Sequence, residues 1–283
     1  MKNFLFKLAV PAIAIAGVCA CSKPAAEEPE ISETPQEPAV IQEIALLNVS
    51  WAQNVSHTDI FVYGADAAGE LESHDKYPGL PSSVPVVSDG KKKTVVAICN
   101  CGFGFNLTAL KKYDSMQMLS YKFDDENPES PLLSGFCTAG GGNDTISLSP
   151  LLCRITLKEI SNALDDYVLL ENPIIFIDGI SASEAVLRTE GFRPKEEVDD
   201  TLKAALPYDI GFYSQQPDTE VFCYPNDTPD NIIGPVSTEL CFCCEIEGEK
   251  CTYRVPLTPF GRGADISVKI DIIDRNEFYY KVK

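Results

Sequence analysis

The sequence predicts an all-β fold of two β-sandwich domains, and three observations carry this prediction. Apolar residues recur mostly with a period of two rather than 3.6. Short strand-like segments are separated by turns rich in Gly, Pro, Asn and Asp. The glycine-rich run at 139–144 marks a break, so we place the two domains at 44–149 and 150–283. One or two short helices complete the prediction, at Asn106–Tyr113 with Asn106 as the N-cap and near Val198–Ala205.

The N-terminus has the pattern of an export signal. Lys2 and Lys7 flank the start of an apolar run that reaches Cys21, about half the ~20 residues that a membrane-spanning helix needs. A small residue directly before Cys21 resembles the lipobox of bacterial lipoproteins. The resemblance implies that residues 1–20 are a lipoprotein signal peptide and that Cys21 becomes acylated. An ordinary signal peptide, with Cys21 as a spare thiol, is the alternative.

Residues 21–43 predict an acidic, proline-rich tether. They contain too few apolar side chains to offset the entropy lost on ordering, and their charges and prolines keep the segment extended. A merely disordered N-terminus is the alternative. The whole chain has 42 acidic and 23 basic residues, a net charge of −19. That balance argues against nucleic-acid binding and against electrostatic docking on anionic lipid.

The predicted strands follow the tether in order, and most are rich in β-branched and aromatic residues. They are Ile44–Trp51, Asp59–Tyr63, Lys93–Ile98, Thr145–Leu148, Leu152–Leu157, Pro173–Ile177 and Glu220–Tyr224, followed by the C-terminal strands.

The segment ELCFCCEIEGEKCTYRVPL, residues 239–257, predicts a β-hairpin. With a two-residue turn at Gly248-Glu249, six side chains form one apolar face. The facing pairs are Ile246 with Cys251, Cys244 with Tyr253, and Phe242 with Val255. Cys241 and Cys243 point to the other face, beside Glu239 and Glu245.

Most of the 11 cysteines lie in apolar strand-like segments, so we expect core thiols that act as small hydrophobes. A metal site formed by Cys241, Cys243, Cys244 and Cys251 is the alternative. Zinc sites favour spacings such as C-x2-C, whereas neighbouring strand residues point to opposite faces. We therefore expect no metal and no other cofactor.

The hairpin and the C-terminal strand after it carry a family resemblance. Residues 238–272 are similar to the C-terminal region of fimbrillins from Bacteroidales, where a strand, a Gly turn, a Tyr-x-Val-Pro-Leu-like strand, an Arg-containing turn and a last strand follow each other. Residues 221–226 stand where such proteins have an aromatic strand that ends in Asn. Residues 46–72 look like the first strands of their anchor and accessory subunits. The resemblance covers most of residues 44–283.

The resemblance implies two transthyretin-like β-sandwich domains, lipoprotein export and assembly into or under a surface fimbria. Stalk subunits of that family are cut by a trypsin-like protease, lose their first strand and accept a strand from a neighbour. Here no basic residue lies between Lys23 and Lys76, and the first arginine is Arg154. An uncut anchor or accessory subunit in the outer membrane is therefore favoured. A stalk or tip subunit cut by another protease is the alternative.

The last long strand has the alternation that a groove-filling donor strand needs. Ile266, Val268, Ile270 and Ile272 alternate with polar residues, which makes this strand a candidate donor. An ordinary half-buried strand of its own domain is the alternative.

Three Asp-Ser/Thr-apolar triplets resemble the O-glycosylation signal of exported Bacteroidota proteins. The hydroxyls concerned are those of Ser115, Thr145 and Thr201. Since three-residue patterns also arise by chance, modification of these residues is a hypothesis.

No catalytic motif is present, and the sequence predicts a protein that is not an enzyme. It contains two histidines and neither H-E-x-x-H, G-x-S-x-G nor a phosphate loop. The expected partners are other fimbrial subunits and the outer membrane through the N-terminal lipid. A lone surface lipoprotein that binds a glycan or host ligand is the alternative, with Trp51 and the tyrosines as stacking candidates.

Overall fold

The computed structural model describes residues 40–64, 69–88, 90–140, 144–164, 168–187, 198, 202–226, 238–257 and 259–283. Pro38–Lys283 form one compact unit. The described residues contain many strands, one α-helix and one 3-10 turn, so the predicted all-β class is confirmed. The prediction of two domains that divide near Ser149 stays a prediction.

Eight strands precede residue 151 in the described part of the chain. They are β1 (Val40–Asn48), β2 (His57–Gly64), β3 (Leu71–Pro78), β4 (Ser83–Ser88), β5 (Lys93–Cys99), β6 (Ser120–Lys122), β7 (Leu133–Ala139) and β8 (Thr145–Pro150). Helix α1 spans Tyr113–Gln117, and the 3-10 turn spans Phe123–Asp125.

Among the described residues after position 151 there are ten strands. They are β9 (Cys153–Asn162), β10 (Glu171–Asp178), β11 (Ser183–Ala185), β12 (Ala204–Ala205), β13 (Tyr213–Gln215), β14 (Thr219–Cys223), β15 (Glu239–Ile246), β16 (Glu249–Pro256), β17 (Asp265–Asp274) and β18 (Glu277–Val282).

The strands form three larger sheets and one small one. A seven-stranded sheet has the order β3-β2-β5-β7-β8-β1-β4. A four-stranded sheet has the order β12-β10-β15-β16. A five-stranded sheet has the order β13-β9-β17-β18, and its fifth strand, β14, also pairs with β9. Two pairings are parallel, β1 with β8 and β17 with β9. The small sheet pairs β6 with β11 and so joins distant parts of the chain.

Three apolar clusters form the core. The first lies within the seven-stranded sheet region and includes Ile44 and Ile146. The second lies between the two later sheets and includes Ile175 and Ile270. The third contains residues from both sides of position 150, such as Tyr63 and Tyr224, and joins the other two regions.

The main difference between the predicted and the observed secondary structure concerns the two helices. Around Asn106 the chain forms a single turn, in which Asn106 Oδ1 accepts hydrogen bonds from the amides of Thr108 and Ala109 at 3.1 and 3.3 Å. The α-helix begins later, at Tyr113. The second predicted helix is wrong in its described part, because Ala204–Ala205 form a strand that pairs with β10.

The predicted hairpin exists, but its register differs by two residues. The turn residues are Glu247 and Gly248, both with positive φ (52° and 82°), so Cys244 faces Cys251 and Phe242 faces Tyr253. We expected the turn one residue later, at Gly248-Glu249, whereas the structure turns at Glu247, a non-glycine residue with positive φ. A shift of two residues leaves each side chain on its predicted face.

Candidate assembly surfaces

Strand β1 is an interior strand of its sheet. Val40–Ala45 pair antiparallel with β4, and Ala45–Asn48 pair in parallel with β8. The strand begins four residues before the predicted start at Ile44. The two pairings meet at Ala45, and the position between β4 and β8 is filled by the chain's own first strand.

Only one face of β1 is buried. Ile44 and Leu46 enter the first core cluster, whereas the neighbouring Leu47 is 51% exposed. Val40 and Ile41, where the chain enters the strand, are also exposed. Only a few side chains of β1 are therefore buried and hold the strand against the core.

The candidate donor residues lie together on one face of β17. Ile266, Val268, Ile270 and Ile272 are all buried in the second core cluster. On one side β17 pairs with β9, and on the other side it pairs with β18. In this structure the strand completes the core of its own sheet, and its donation to another chain stays a prediction.

Strand β18 is the edge of the five-stranded sheet. It pairs with β17 and has no second neighbour among the described strands. Phe278 packs on the core, while Tyr279 is 60% exposed. An exposed edge with free backbone groups is a surface to which another strand can add.

One arginine joins segments that are far apart in sequence. Arg262 Nη1 donates to Val186 O at 3.1 Å, and Nη2 donates to Ser134 Oγ at 2.8 Å and to Ser149 O at 3.2 Å. This residue belongs to the Arg-containing turn that the resemblance singled out. Hydrogen bonds from a charged donor are stronger than neutral ones, so the turn is held firmly against the third core cluster.

Trp51, three residues after β1, contacts residues of β9 and β14. The Arg154 guanidinium lies 5.1 Å from the centroid of the Trp51 ring, and the Phe222 ring lies 5.7 Å away. Arg154 also binds the Asp265 carboxylate with two hydrogen bonds, of 3.0 and 2.7 Å. Contacts within the chain thus cover part of the Trp51 ring, and its stacking on sugars stays a prediction.

A cavity of about 160 Å³ lies beside the third cluster, lined mainly by apolar residues such as Phe123, Ile180 and Phe222. Glu126 is a half-buried acid in its lining. Leu132 N donates to Glu126 Oε2 at 3.1 Å, and Tyr224 Oη lies 3.2 Å from Oε1. Burial raises the pKa of the Glu126 carboxyl to about 7, so the environment favours its neutral form.

Asp59 is a buried carboxylate surrounded by basic side chains. Its oxygens lie 2.9 Å from His74 Nε2, 3.7 Å from His57 Nε2 and 3.8 Å from Lys76 Nζ. The His74 ring also stacks on Phe61 at 4.5 Å. A buried charge needs such partners, and the cluster therefore has a structural explanation. Across the described ranges no group of three or more His, Cys, Asp or Glu side chains is placed to hold a metal ion.

An exposed aromatic pair lies on and beside β13. The rings of Phe212 and Tyr213 are 4.7 Å apart, and Tyr213 is 75% exposed. Tyr213 also has a φ of 103°, which is unusual for a bulky residue. Such strain is often found at functional sites, so this pair is a candidate contact surface.

The predicted modification sites have different positions. Ser115 lies on helix α1 and Thr145 begins β8, and both are exposed. Cys21 and Thr201 lie outside the described residues. In the part of the chain that the structure describes, no helix is long and apolar enough to cross a membrane.

Sequence reasoning placed Arg262 in the Arg-containing turn of the resemblance, at residues 260–263, but did not identify its contacts. It did not identify Asp59 or the Phe212–Tyr213 pair as notable side chains. The partners of Asp59 are 2, 15 and 17 residues away along the chain, and a strand pairing brings them together.

No protein-family model matches the sequence, and no curated protein matches it significantly. Solved structures do match. The tip fimbrial protein from Porphyromonas gingivalis with a C-terminal truncation has a TM-score of 0.60 at 9% identity, over 87% of this chain and 99% of that chain. A fimbrilin from Porphyromonas gingivalis has a TM-score of 0.55 at 10% identity, over 82% and 89%. A fimbrial assembly protein from Parabacteroides distasonis has a TM-score of 0.53 at 13% identity, over 87% and 96%.

Proposed function

We propose that this chain, which has the fold of Bacteroidales fimbrial proteins, is a fimbrial anchor or accessory subunit with a role in adhesion. One observation carries the anchor assignment. Strand β1 fills the position between β4 and β8, and no Lys or Arg lies between Lys23 and Lys76 to allow its tryptic removal.

The retained first strand limits how the subunit can polymerise. A neighbour's strand can enter between β4 and β8 only after β1 has left. With β1 in place, the surfaces offered to other subunits are sheet edges such as β18 and exposed side chains such as Tyr279. This arrangement fits a subunit at the end or base of a fibre.

We further propose that Cys21 carries the lipid and that residues 21–43 form the tether from the outer membrane to the folded part. The leader pattern and the lipobox resemblance support both parts of this proposal. Two acyl chains or more make such an anchor stable, because each buried CH2 contributes about 0.8 kcal/mol.

The first test is the N-terminus and intact mass of the native protein, measured separately in sheared surface fibres and in the outer membrane. An acylated Cys21 with residues 22–50 intact, found mostly in the membrane, supports the anchor. A fibre-associated chain that begins after β1 makes it a polymerising subunit instead. The same masses report any glycan on Ser115, Thr145 or Thr201 as added hexose-sized increments.

Deletion of the protein supplies the functional readout. An anchor or accessory role predicts fibres that are shed, altered in length or lost from the cell surface. Unchanged, attached fibres would contradict the proposal. A Cys21→Ala variant should reproduce the shedding while its folded part remains intact, and a Cys19→Ala variant is the matched control because Cys19 precedes the predicted cleavage site.

A second candidate function is glycan binding at the Phe212–Tyr213 pair. Exposed, strained aromatic side chains favour this alternative. A glycan array should then give hits that Tyr213→Ala abolishes and that Tyr279→Ala, at another exposed tyrosine, leaves unchanged. An array without hits removes the alternative.

A further inference from the structure

Four cysteines form two directly opposed pairs in the sheets. Cys153 of β9 faces Cys223 of β14, and Cys244 of β15 faces Cys251 of β16. The other described cysteines face different residue types or lie outside the ladders. In the ladders, Cys99 faces Thr58 and Leu133, Cys137 faces Val95, Cys241 faces Phe176 and Arg254, and Cys243 faces Ile174 and Thr252.

We propose that the exported protein holds these two pairs as cross-strand disulfides, Cys153–Cys223 and Cys244–Cys251. The proposal rests on the proposed function in one respect, since disulfides form and persist outside the reducing cytosol. Directly opposed residues of antiparallel strands have Cα atoms about 4.5–5.5 Å apart. Disulfides span Cα separations of about 4.4–6.8 Å, so neither bond requires the strands to move apart.

The first pair lies deep in the second core cluster. Cys153 and Cys223 are both fully buried, and both side chains face that cluster. Cys153 Sγ donates a hydrogen bond to Gly261 O at 3.2 Å, so a side-chain rotation toward Cys223 has to replace this contact. The bond would close a loop of about 70 residues, and longer loops give larger stabilisation in the chain-entropy model.

The second pair lies in the hairpin that the turn at Glu247-Gly248 closes. Cys244 is buried and Cys251 is half-buried on the same face. The nearby Cys243 points to the opposite face, where its sulfur lies 3.2 Å from Thr252 Oγ1. The pleat thus selects Cys251 as the partner of Cys244 and separates Cys243 from it.

The chemistry is thiol–disulfide exchange with a disulfide-bearing oxidant, either a disulfide oxidoreductase of the export compartment or oxidised glutathione. For each bond, two successive exchanges join two protein sulfurs through a mixed disulfide, and the two thiol protons pass to the two sulfurs of the oxidant, which ends as its dithiol or as two thiols. Burial raises the pKa of the Cys153 and Cys244 thiols to about 12, which leaves little reactive thiolate in the folded state. Oxidation therefore takes place while the strands pair during folding.

The decisive experiment maps the bonds in the full native protein taken from the cell surface. Free thiols are alkylated with N-ethylmaleimide in denaturant near neutral pH, and the chain is digested with trypsin without reduction. The basic residues place Cys153 in peptide 123–154, Cys223 and Cys244 in peptide 204–250, and Cys251 in peptide 251–254. Two proposed bonds join these three peptides into one species, about 4 Da lighter than their sum because each bond removes two hydrogens.

Fragmentation of the linked species must then assign the bonds to Cys153–Cys223 and Cys244–Cys251. Alkylation of all four cysteines before reduction overturns the proposal, as do bonds to Cys137, Cys241 or Cys243. Refolding the purified protein with oxidised glutathione tests the geometry without the cell. If the native protein is reduced but the refolded protein forms both bonds, the geometry allows the disulfides and the cell does not form them. The proposal fails in that case too.

Two single variants provide matched controls. Cys223→Ala should free the Cys153 thiol for alkylation and keep the bond between Cys244 and Cys251. Cys137→Ala should leave both bonds unchanged, since Cys137 faces Val95. Mapping of the native protein needs no variant and decides the question if Cys223→Ala fails to fold. The location of the protein in membrane or fibre is read separately, so a failed anchor assignment is distinguishable from failed bonds.

Discussion

Strands β1 and β17 have equivalent positions in their sheets but are buried to different extents. Each pairs in parallel with one neighbour and antiparallel with another. β1 contributes two buried side chains to the core, Ile44 and Leu46, and β17 contributes four. At about 1.5–3 kcal/mol for each buried aliphatic side chain, β17 contributes roughly twice as much as β1. Similar backbone pairing therefore does not make two strands equally difficult to detach from their sheets, because the number of buried side chains also counts.

The largest expected effect is at the centre of β17. Ile270→Ala should lower the free energy of unfolding by about 3–4 kcal/mol, because the side chain is fully buried and its removal leaves a cavity. Urea denaturation measures this value. Ile273→Ala is the control on the same strand, since Ile273 is 39% exposed and its change should stay near 0.5 kcal/mol.

A smaller effect is expected for the equivalent change in β1. Ile44→Ala should lower the free energy of unfolding by about 2 kcal/mol, at the lower end for buried aliphatic residues. We expect the smaller value because β1, with fewer buried side chains, can relax around the cavity more easily than β17. The same denaturation series includes Leu47→Ala, whose exposed side chain should matter little. Equal losses for Ile44→Ala and Ile270→Ala would remove the proposed difference between the two strands.

Native-state hydrogen exchange sharpens the comparison without a mutation. Amides of β17 should exchange only with global unfolding, while amides of β1 should exchange through local opening that costs about 1–2 kcal/mol less. The measurement is the denaturant dependence of exchange for each strand. If the amides of β1 and β17 open with the same free energy and the same denaturant dependence, the two strands belong to one cooperative unit.

A basic residue placed after β1 should have the smallest effect on stability. It should still change the pattern of tryptic fragments. Gln53→Arg changes an exposed side chain and should alter stability by less than about 0.5 kcal/mol. It should nevertheless create a trypsin cut between Lys23 and Lys76, visible as a new fragment by mass spectrometry. Gln53→Met is the uncut control. Resistance of Gln53→Arg would show that this segment is inaccessible to the protease.

Several strands could be predicted from the sequence because their apolar runs are strong local signals. The runs at Asp59–Tyr63 and Lys93–Ile98 lie within β2 and β5. The hairpin register could not be predicted, because the choice between two turns depended on whether Glu247 adopts a positive φ. The helix near Asn106 was misplaced because a single capped turn and the start of a helix share the same local pattern.

The contacts of the candidate surfaces were harder to predict than the strands. Arg262 meets Ser134 across 128 residues, and Arg154 meets Asp265 across 111, so no local pattern specifies either pair. The buried face of β17 could be predicted, because its alternation is local. Lipidation of Cys21 and glycosylation at Ser115, Thr145 and Thr201 rest on resemblance and stay predictions.

The placement of β1 also has a mechanical consequence. Tension applied at the N-terminus reaches Val40 first, and the backbone ladder of the outer part of β1 runs to β4, since the pairing with β8 begins at Ala45. A pull across the sheet breaks these hydrogen bonds one after another, whereas a pull along the strand loads them together. The direction of tension therefore sets the force at which β1 detaches, while β17 holds the five-stranded sheet together.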